Sequence, residues 1–469
     1  MTMADTAMPL TAPSETPATH TAPRTATTQS RAPAPPRTAP SLSALPPIPV
    51  SATLAANETL ARKRRAGEPV LPMAFGEAGL PAHPLLRDAL AAASGGNAYG
   101  PVAGLPALRE AAAGYWTRRG TPASAASVVC GPGSKALLFG LLLAIGTDVA
   151  VPKPSWVSYA AQATMIGSQP HFVPAPPGEG GVCDAAALAR AVLAARQAGR
   201  RIGAVVLTLP DNPTGQLARP DSVRAVCQVA REHDLIIIAD EIYRDLVHDP
   251  AADYPSPVAY APERTVITTA LSKSLALGGW RIGVARLPDG STGRALRDRL
   301  VGIGSEIWSA PSLPIQHAAA LAFSEPAELT ERIARSRSLH AAVARAMADR
   351  FSAAGVRVPA PQAAFYLYPD FAPWRGRLAA AYGLSTGAEL AGHLLHRYGM
   401  GMLPGSAFGE DAAVLRMRVA TGLLYGETNE QREIALASSD PVRLPWIAAA
   451  LDRAADVLAD LAPAPAPAG

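Results

Sequence analysis

The chain has 469 residues, 49% of them apolar, with 42 Lys or Arg against 38 Asp or Glu and a net charge of +4. That length supports one or two folded domains, and so small and scattered a charge excludes a nucleic-acid-binding face as the organising feature. No apolar run reaches the roughly 18 residues of a bilayer span, and three distant cysteines, Cys130, Cys183 and Cys227, exclude a disulfide scaffold and a zinc site and fit a reducing, cytoplasmic setting.

In chain order, residues 1–45 are nearly all Ala, Pro, Thr, Ser and Arg, a composition that predicts a disordered tail. It lacks the apolar stretch of a secretory signal, and its proline density opposes the amphipathic helix of a transit peptide. Residues 463–469 predict a second frayed end. The run Arg62-Lys63-Arg64-Arg65 reads as the solvated face of a helix.

Gly131-Pro132-Gly133-Ser134-Lys135 precedes an apolar helix beginning ALLFGLLLAIG at Ala136. Small residues at a helix start expose backbone N–H groups to an anion. GAVVLTLP (203–210), LIIIAD (235–240) and TVITTALS (265–272) are short β-rich runs about thirty residues apart, room for one crossover helix each. Together they predict an α/β fold on a parallel sheet buried on both faces, with ligands at the carboxyl ends of the strands. Those ends carry Asp211-Asn212, Asp240 and Ser272-Lys273. After Pro326 helical stretches dominate, with strand-like AAFYLYPDF (363–371) and AVLRMRVAT (413–421), a smaller α+β unit.

Each strand end has a chemical reading and a plainer one. A partly desolvated lysine at Lys273 can form a Schiff base with an aldehyde, or be a surface charge. Arg281, across the turn Leu277-Gly278-Gly279-Trp280, can clamp a phosphate, or lie on the surface. Asp240 can face a cationic ring nitrogen, or cap a helix. Asn212, in Asp211-Asn212-Pro213-Thr214-Gly215, can donate to a ligand oxygen or simply occupy a turn, and Tyr243 can do the same or fill the core. His393 and His396 have metal-compatible spacing, but no acidic or cysteine partner lies nearby, so no metal site is expected.

In this order and spacing, LTLPDNPTGQL, IIADEIYRDL, LSKSLALGGWRIG and LRMRVAT resemble the aspartate-aminotransferase family, the class I/II aminotransferases of pyridoxal-phosphate (PLP) fold type I. The resemblance runs from about Ser51 to Leu461. It implies a large PLP-binding domain at 87–322 with a mostly parallel seven-stranded sheet, and a smaller α+β domain at 323–462 to which 46–86 contribute. It implies a homodimer with shared active sites and a ping-pong exchange of an amino group between an L-amino acid and a 2-oxo acid.

Residue by residue, the resemblance makes Lys273 the cofactor-carrying and proton-shuttling lysine and Asp240 the ring-nitrogen partner. Asn212 and Tyr243 become donors to the phenolic oxygen, and Trp156 the stacking ring. Ser134, Lys135 and Arg281 become the phosphate cradle, to which Tyr99 reaches from the neighbouring subunit. Gly76 becomes the close approach to substrate and Arg416 the grip on its α-carboxylate. Arg418 shares the face of Arg416, so periodicity does not separate the two; the motif favours Arg416. Lys135 and Thr53 match residues that read a distal carboxylate, which implies aspartate or glutamate as substrate.

Departures from the family pattern are Ala78 after Glu77, Ala270 before the lysine, bulky Trp308, and a long segment from Gly422 to Pro445 that would cover the site or lie idle on the surface. They leave open a specialised, aromatic, alanine or prephenate substrate, or a lyase or decarboxylase on the same fold. A winged-helix regulator is disfavoured by the short proline-rich region before Ser51, and a non-catalytic homologue by the retained Lys273, Asp240, Arg281 and Arg416. Glu77 is better explained by local structure than as a general base.

Overall fold

The computed structural model describes residues 52–462. The disordered tails expected at 1–45 and 463–469, and residues 46–51, lie outside the described residues.

Twelve strands are present among them: β1 (Leu71–Pro72), β2 (Val128–Gly131), β3 (Asp148–Lys153), β4 (Pro170–Pro174), β5 (Ile202–Thr208), β6 (Ile236–Asp240), β7 (Thr265–Ala270), β8 (Gly283–Arg286), β9 (Tyr366–Leu367), β10 (Met400–Gly401), β11 (Leu403–Pro404) and β12 (Met417–Ala420). Seven of them form one sheet in the order β2-β8-β7-β6-β5-β3-β4. All its pairings are parallel except those of β8, which runs against both β2 and β7.

The three β-rich runs of the sequence are the centre of this sheet. Every residue of β5 and β7 is buried, which is why these strands read as continuous apolar runs rather than alternating ones. On one face pack the helices Ala185–Gln197 and Pro220–Glu232, through residues such as Val192 and Val226. On the other pack Ser134–Ile145 and Gly290–Ile307, through Leu137, Leu141 and Leu300. The expected crossover helix joins β5 to β6, but the β6–β7 connection holds only the 3-10 turns Arg244–Leu246 and Pro257–Ala259. Pro250, Pro255 and Pro257 fall in that connection, and proline interrupts helix propagation.

A separate apolar cluster is built from Leu71, Met73 and Leu80 with residues 339–461. The helix Ala327–Ala353 bridges the two regions: Leu329 packs with the sheet-side cluster and Leu339, Val343 and Met347 with the second. Near it, β11-β12-β9 make a small antiparallel sheet. The strand expected at 363–371 is continuous over only Tyr366–Leu367, with isolated bridges at Ala363 and Asp370.

The segment after Gly422 neither covers the site nor lies idle. It contributes the helix Asn429–Ala437 and puts Leu424, Tyr425, Ala435 and Leu436 into the second cluster. Tyr425 bonds to the buried Nδ1 of His340 at 2.6 Å, and Trp446 Nε1 donates to the Tyr425 carbonyl at 2.8 Å.

At the end of the sheet away from Lys273, Asp148 opens β3 and accepts two bonds from Arg200, each 2.6 Å, and one from the Gln169 N–H at 2.9 Å. Burial alone would raise its carboxyl, but the Arg200 bonds and the Gln169 and His171 contacts bring it to about 2. A carboxyl held below its unfolded value stabilises the fold above that value and loses the contribution as pH falls through about 4 to 2. With Arg200 partly exposed, about 1–2 kcal/mol is expected. The stability gap between the wild-type protein and Asp148→Asn in urea should therefore be widest at pH 7 and narrow by pH 3; a gap independent of pH would contradict the ion-pair account.

Candidate active site

One cavity of about 480 Å³ opens at the carboxyl ends of the central strands. Lys273 enters from the short helix Leu271–Ser274, which starts where β7 ends, two residues before the end of the β-rich run. Its Nζ donates to the carbonyl of Gly76. Burial, and then the cations of Arg418 and Arg281, bring its ammonium down to about 8. An amine in that range exists partly as the free base at neutral pH, as a nucleophile and proton carrier must.

Asp240 ends β6, buried on the cavity floor. Its Oδ2 accepts from Tyr159 Oη at 2.8 Å and its Oδ1 from Thr268 Oγ1 at 3.4 Å. Burial pushes the carboxyl up to about 6 against these bonds and the Ile242 N–H. Its coulombic partner is Lys273, so a cationic ligand group above it would complete the charge balance.

The glycine-rich loop before the helix Ser134–Ile145 turns at Gly133, φ +86°, with Arg281 packed against it. That positive φ is what favours glycine at this position, and a Cβ there would also displace Arg281 Nη2, 2.4 Å away. Arg281 donates to the carbonyls of Gly278 at 2.9 Å and Pro132 at 3.4 Å, and neither it nor Lys135 forms an ion pair among the described residues. Burial, with Arg281 nearby, lowers the Lys135 ammonium. Two cations beside a helix N-terminus with no carboxylate among them form a cradle that wants an anion such as a phosphate. A lysine, a buried carboxylate and an anion cradle in one cavity fit PLP.

Trp156 lines the cavity, with Lys135 Nζ 5.0 Å from its ring centre, and Thr53 lines it too. Asn212 Oδ1 accepts from Arg418 Nη1 at 3.2 Å, and Tyr243 Oη pairs with Tyr366 Oη at 2.8 Å. Gly76 faces Tyr366 so closely that a Cβ would meet its Oη at 2.3 Å.

One expected residue is elsewhere. Arg418, not Arg416, reaches the cavity. Arg418 is buried, lies over the rings of Tyr366 and Phe408 at 5.3 and 5.1 Å, and donates to the Ala74 carbonyl at 2.6 Å. Arg416 precedes β12, is 41% exposed and pairs with buried Glu410 at 2.8 Å. Side chains two residues apart share a strand face but stand roughly 7 Å apart along it, and only the deeper one meets the cavity. Tyr99, expected at the site of a second copy rather than its own, lies outside this cavity with 92% of its surface exposed. Trp308 is not in the cavity wall either; it packs against Gly140 and Gly304.

Tyr159 and Tyr366 were not singled out from the sequence. Tyr159 carried a signal, standing one helical turn after Trp156; Tyr366 carried none beyond strand alternation.

The family model for "Aminotransferase class I and II" matches residues 75–429. The chain belongs to the class I and II aminotransferases. A probable aspartate/prephenate aminotransferase of Thermus aquaticus is 31% identical over 378 residues, 79% of this chain and 92% of the relative. An aspartate aminotransferase of Geobacillus stearothermophilus is 31% identical over 396 residues, covering 81% and 95%. Among solved structures, the Thermus thermophilus aspartate aminotransferase with maleate superposes at a TM-score of 0.73 and 27% identity, covering 87% of this chain and 97% of that one. This aminotransferase is thus a PLP-dependent enzyme of fold type I that transfers an amino group between an amino acid and a 2-oxo acid. No helix among its described residues is long and apolar enough to cross a membrane.

Proposed function

We propose that this enzyme exchanges amino groups between an acidic L-amino acid, aspartate or glutamate, and a 2-oxo acid. The observation that carries this reading is that one cavity is lined by two cations of different depth: buried Arg418, and exposed Lys135 in a wall shared with Thr53 and Trp156. A dicarboxylate has one carboxylate for each. The aspartate aminotransferases and aspartate/prephenate aminotransferases among the relatives support the same substrate class.

Bound PLP supplies an electron sink for the negative charge that develops at the substrate α-carbon. Lys273 carries the cofactor and moves the α-proton, for which a pKa near 8 suits it. Asp240 is the counter-charge to the ring nitrogen. Because Asn212 turns its Oδ1 to Arg418, its amide N–H₂ is left to donate to the phenolic oxygen, and Tyr243 donates beside it. Ser134 and Arg281 hold the phosphate, which leaves Lys135 to the distal carboxylate, and Trp156 covers the ring. Arg418 grips the α-carboxylate in two-pronged fashion and so aims the α-C–H bond at Lys273 Nζ.

The strongly exposed Tyr99 supports a homodimer in which it reaches the phosphate of the second copy's site. The site would then sit between a large unit, 87–322, and a smaller one, 323–462 with 46–86.

The test is the visible spectrum of the purified enzyme on adding L-aspartate, L-glutamate and then a panel of other amino acids. Conversion to the amino form of the cofactor is expected with the acidic pair. Lys135→Met should lower kcat/KM for them by about 10- to 100-fold, the worth of a charge-assisted contact. Conversion with aromatic or aliphatic amino acids alone would discard the acidic substrate.

A further inference from the structure

Tyr159 has no part in the roles above, yet it touches two of the groups that hold the cofactor ring. It lies one turn into the helix Val157–Met165, whose N-cap is Trp156, and the two rings meet edge to face with centroids 5.2 Å apart and planes at 83°. Its buried Oη bonds to Thr208 Oγ1 at 2.9 Å and donates to Asp240 Oδ2 at 2.8 Å. A phenol has one proton, so with that proton on Asp240 the Thr208 hydroxyl must donate to Tyr159. The parallel register sets this up, pairing Thr208 with Asp240 across β5–β6 and Asp240 with Thr268 across β6–β7.

We propose that Tyr159 is a positioning residue: its hydroxyl holds Asp240 ionised and aimed at the cofactor ring nitrogen, and its ring seats Trp156. The proposal rests on the assignment of Asp240 to that nitrogen. Among the groups facing Asp240 are Tyr159, Thr268, the Ile242 N–H and Lys273, and the Tyr159 bond, at 2.8 Å, is shorter than that of Thr268, at 3.4 Å. Burial and the neighbouring Asp240 hold the Tyr159 phenol well above its ordinary range, so it remains a donor at every working pH.

The experiment uses the holoenzyme of Tyr159→Phe, which keeps the ring against Trp156 and removes the hydroxyl. A hydrogen bond to a charged group is worth about tenfold in an equilibrium, so the PLP dissociation constant should rise about tenfold. The kcat should fall by a similar factor while KM stays within about twofold. The pH at which the bound cofactor's visible band interconverts should rise by about half a unit, because a ring nitrogen that holds its proton less firmly repels the nearby linkage proton less.

Thr208→Val should move the same readouts in the same direction by about threefold. Tyr115→Phe, which removes another buried phenol bond, to Asp245 at 3.0 Å, should move none. Wild-type PLP affinity and band midpoint in Tyr159→Phe would overturn the proposal, whatever happens to kcat. If Tyr159→Phe does not fold by circular dichroism, unchanged readouts in Thr208→Val do the same. Asp240→Asn separates the layers: if it binds PLP as wild type, the Asp240 assignment and this proposal fall together. If it weakens PLP binding while Tyr159→Phe does not, Tyr159 alone loses its role.

Discussion

Lys273→Ala is expected to abolish transamination, lowering turnover by at least about 10³-fold, while the protein stays folded. The loss is large because one amine is asked both to carry the cofactor and to move the α-proton, and positioned proton transfer alone is worth about 10²–10⁴. The fold should survive because Nζ makes one hydrogen bond, to the Gly76 carbonyl. Losing it costs about 1 kcal/mol, and relief from burying an ammonium works the other way. Single-turnover kinetics beside circular dichroism would check both halves. Retained turnover would move the role to Lys135, the other lysine of the cavity wall.

The second large effect separates two arginines. Arg418→Lys should lower kcat/KM by about 10²-fold, mostly through KM, because an ammonium cannot reproduce a planar two-pronged grip. The site also has little tolerance, with the guanidinium between the rings of Tyr366 and Phe408 and donating to Ala74 and Asn212. Its Nε has no partner among the described residues, a donor left for a substrate carboxylate. Arg416→Lys should change kcat/KM by less than about threefold, since a half-exposed pair with Glu410 can be remade by lysine and is worth at most about 1 kcal/mol. Steady-state kinetics of the two variants with one amino donor decide the matter; the reverse ranking would return the carboxylate grip to Arg416.

These arginines also mark where reading the chain stops. Asp211-Asn212, Asp240 and Lys273 were legible because each follows an apolar run buried on both faces. In a parallel sheet such runs leave their polar ends side by side at one edge. The phosphate loop was legible because small residues before an apolar helix have few other uses. Arg416 and Arg418 have the same type, strand and face, so nothing local distinguishes them. The difference comes from depth along β12, set by its pairing with β11 and β9 and by Glu410, six residues before Arg416, arriving to pair with it.

The extra segment after Gly422 was legible as an excess but not as a location. Its tie to the core is a contact between Tyr425 and His340, 85 residues apart, and sequence spacing carries no distance at that range. Tyr159 is the same case, a tyrosine on an amphipathic helix until the sheet register brings Asp240 and Thr208 under its hydroxyl.

The sequence by itself determined the sheet, the strand ends that carry the lysine, aspartate and asparagine, the anion loop and the family. These depend on hydrophobic period and on residue types whose backbone or charge demands few alternatives. The tertiary structure decided which arginine faces the substrate, which tyrosines support the ring and its counter-charge, and where the long segment packs. Those are matters of depth and long-range contact, and side-chain identity along one strand or helix does not encode them.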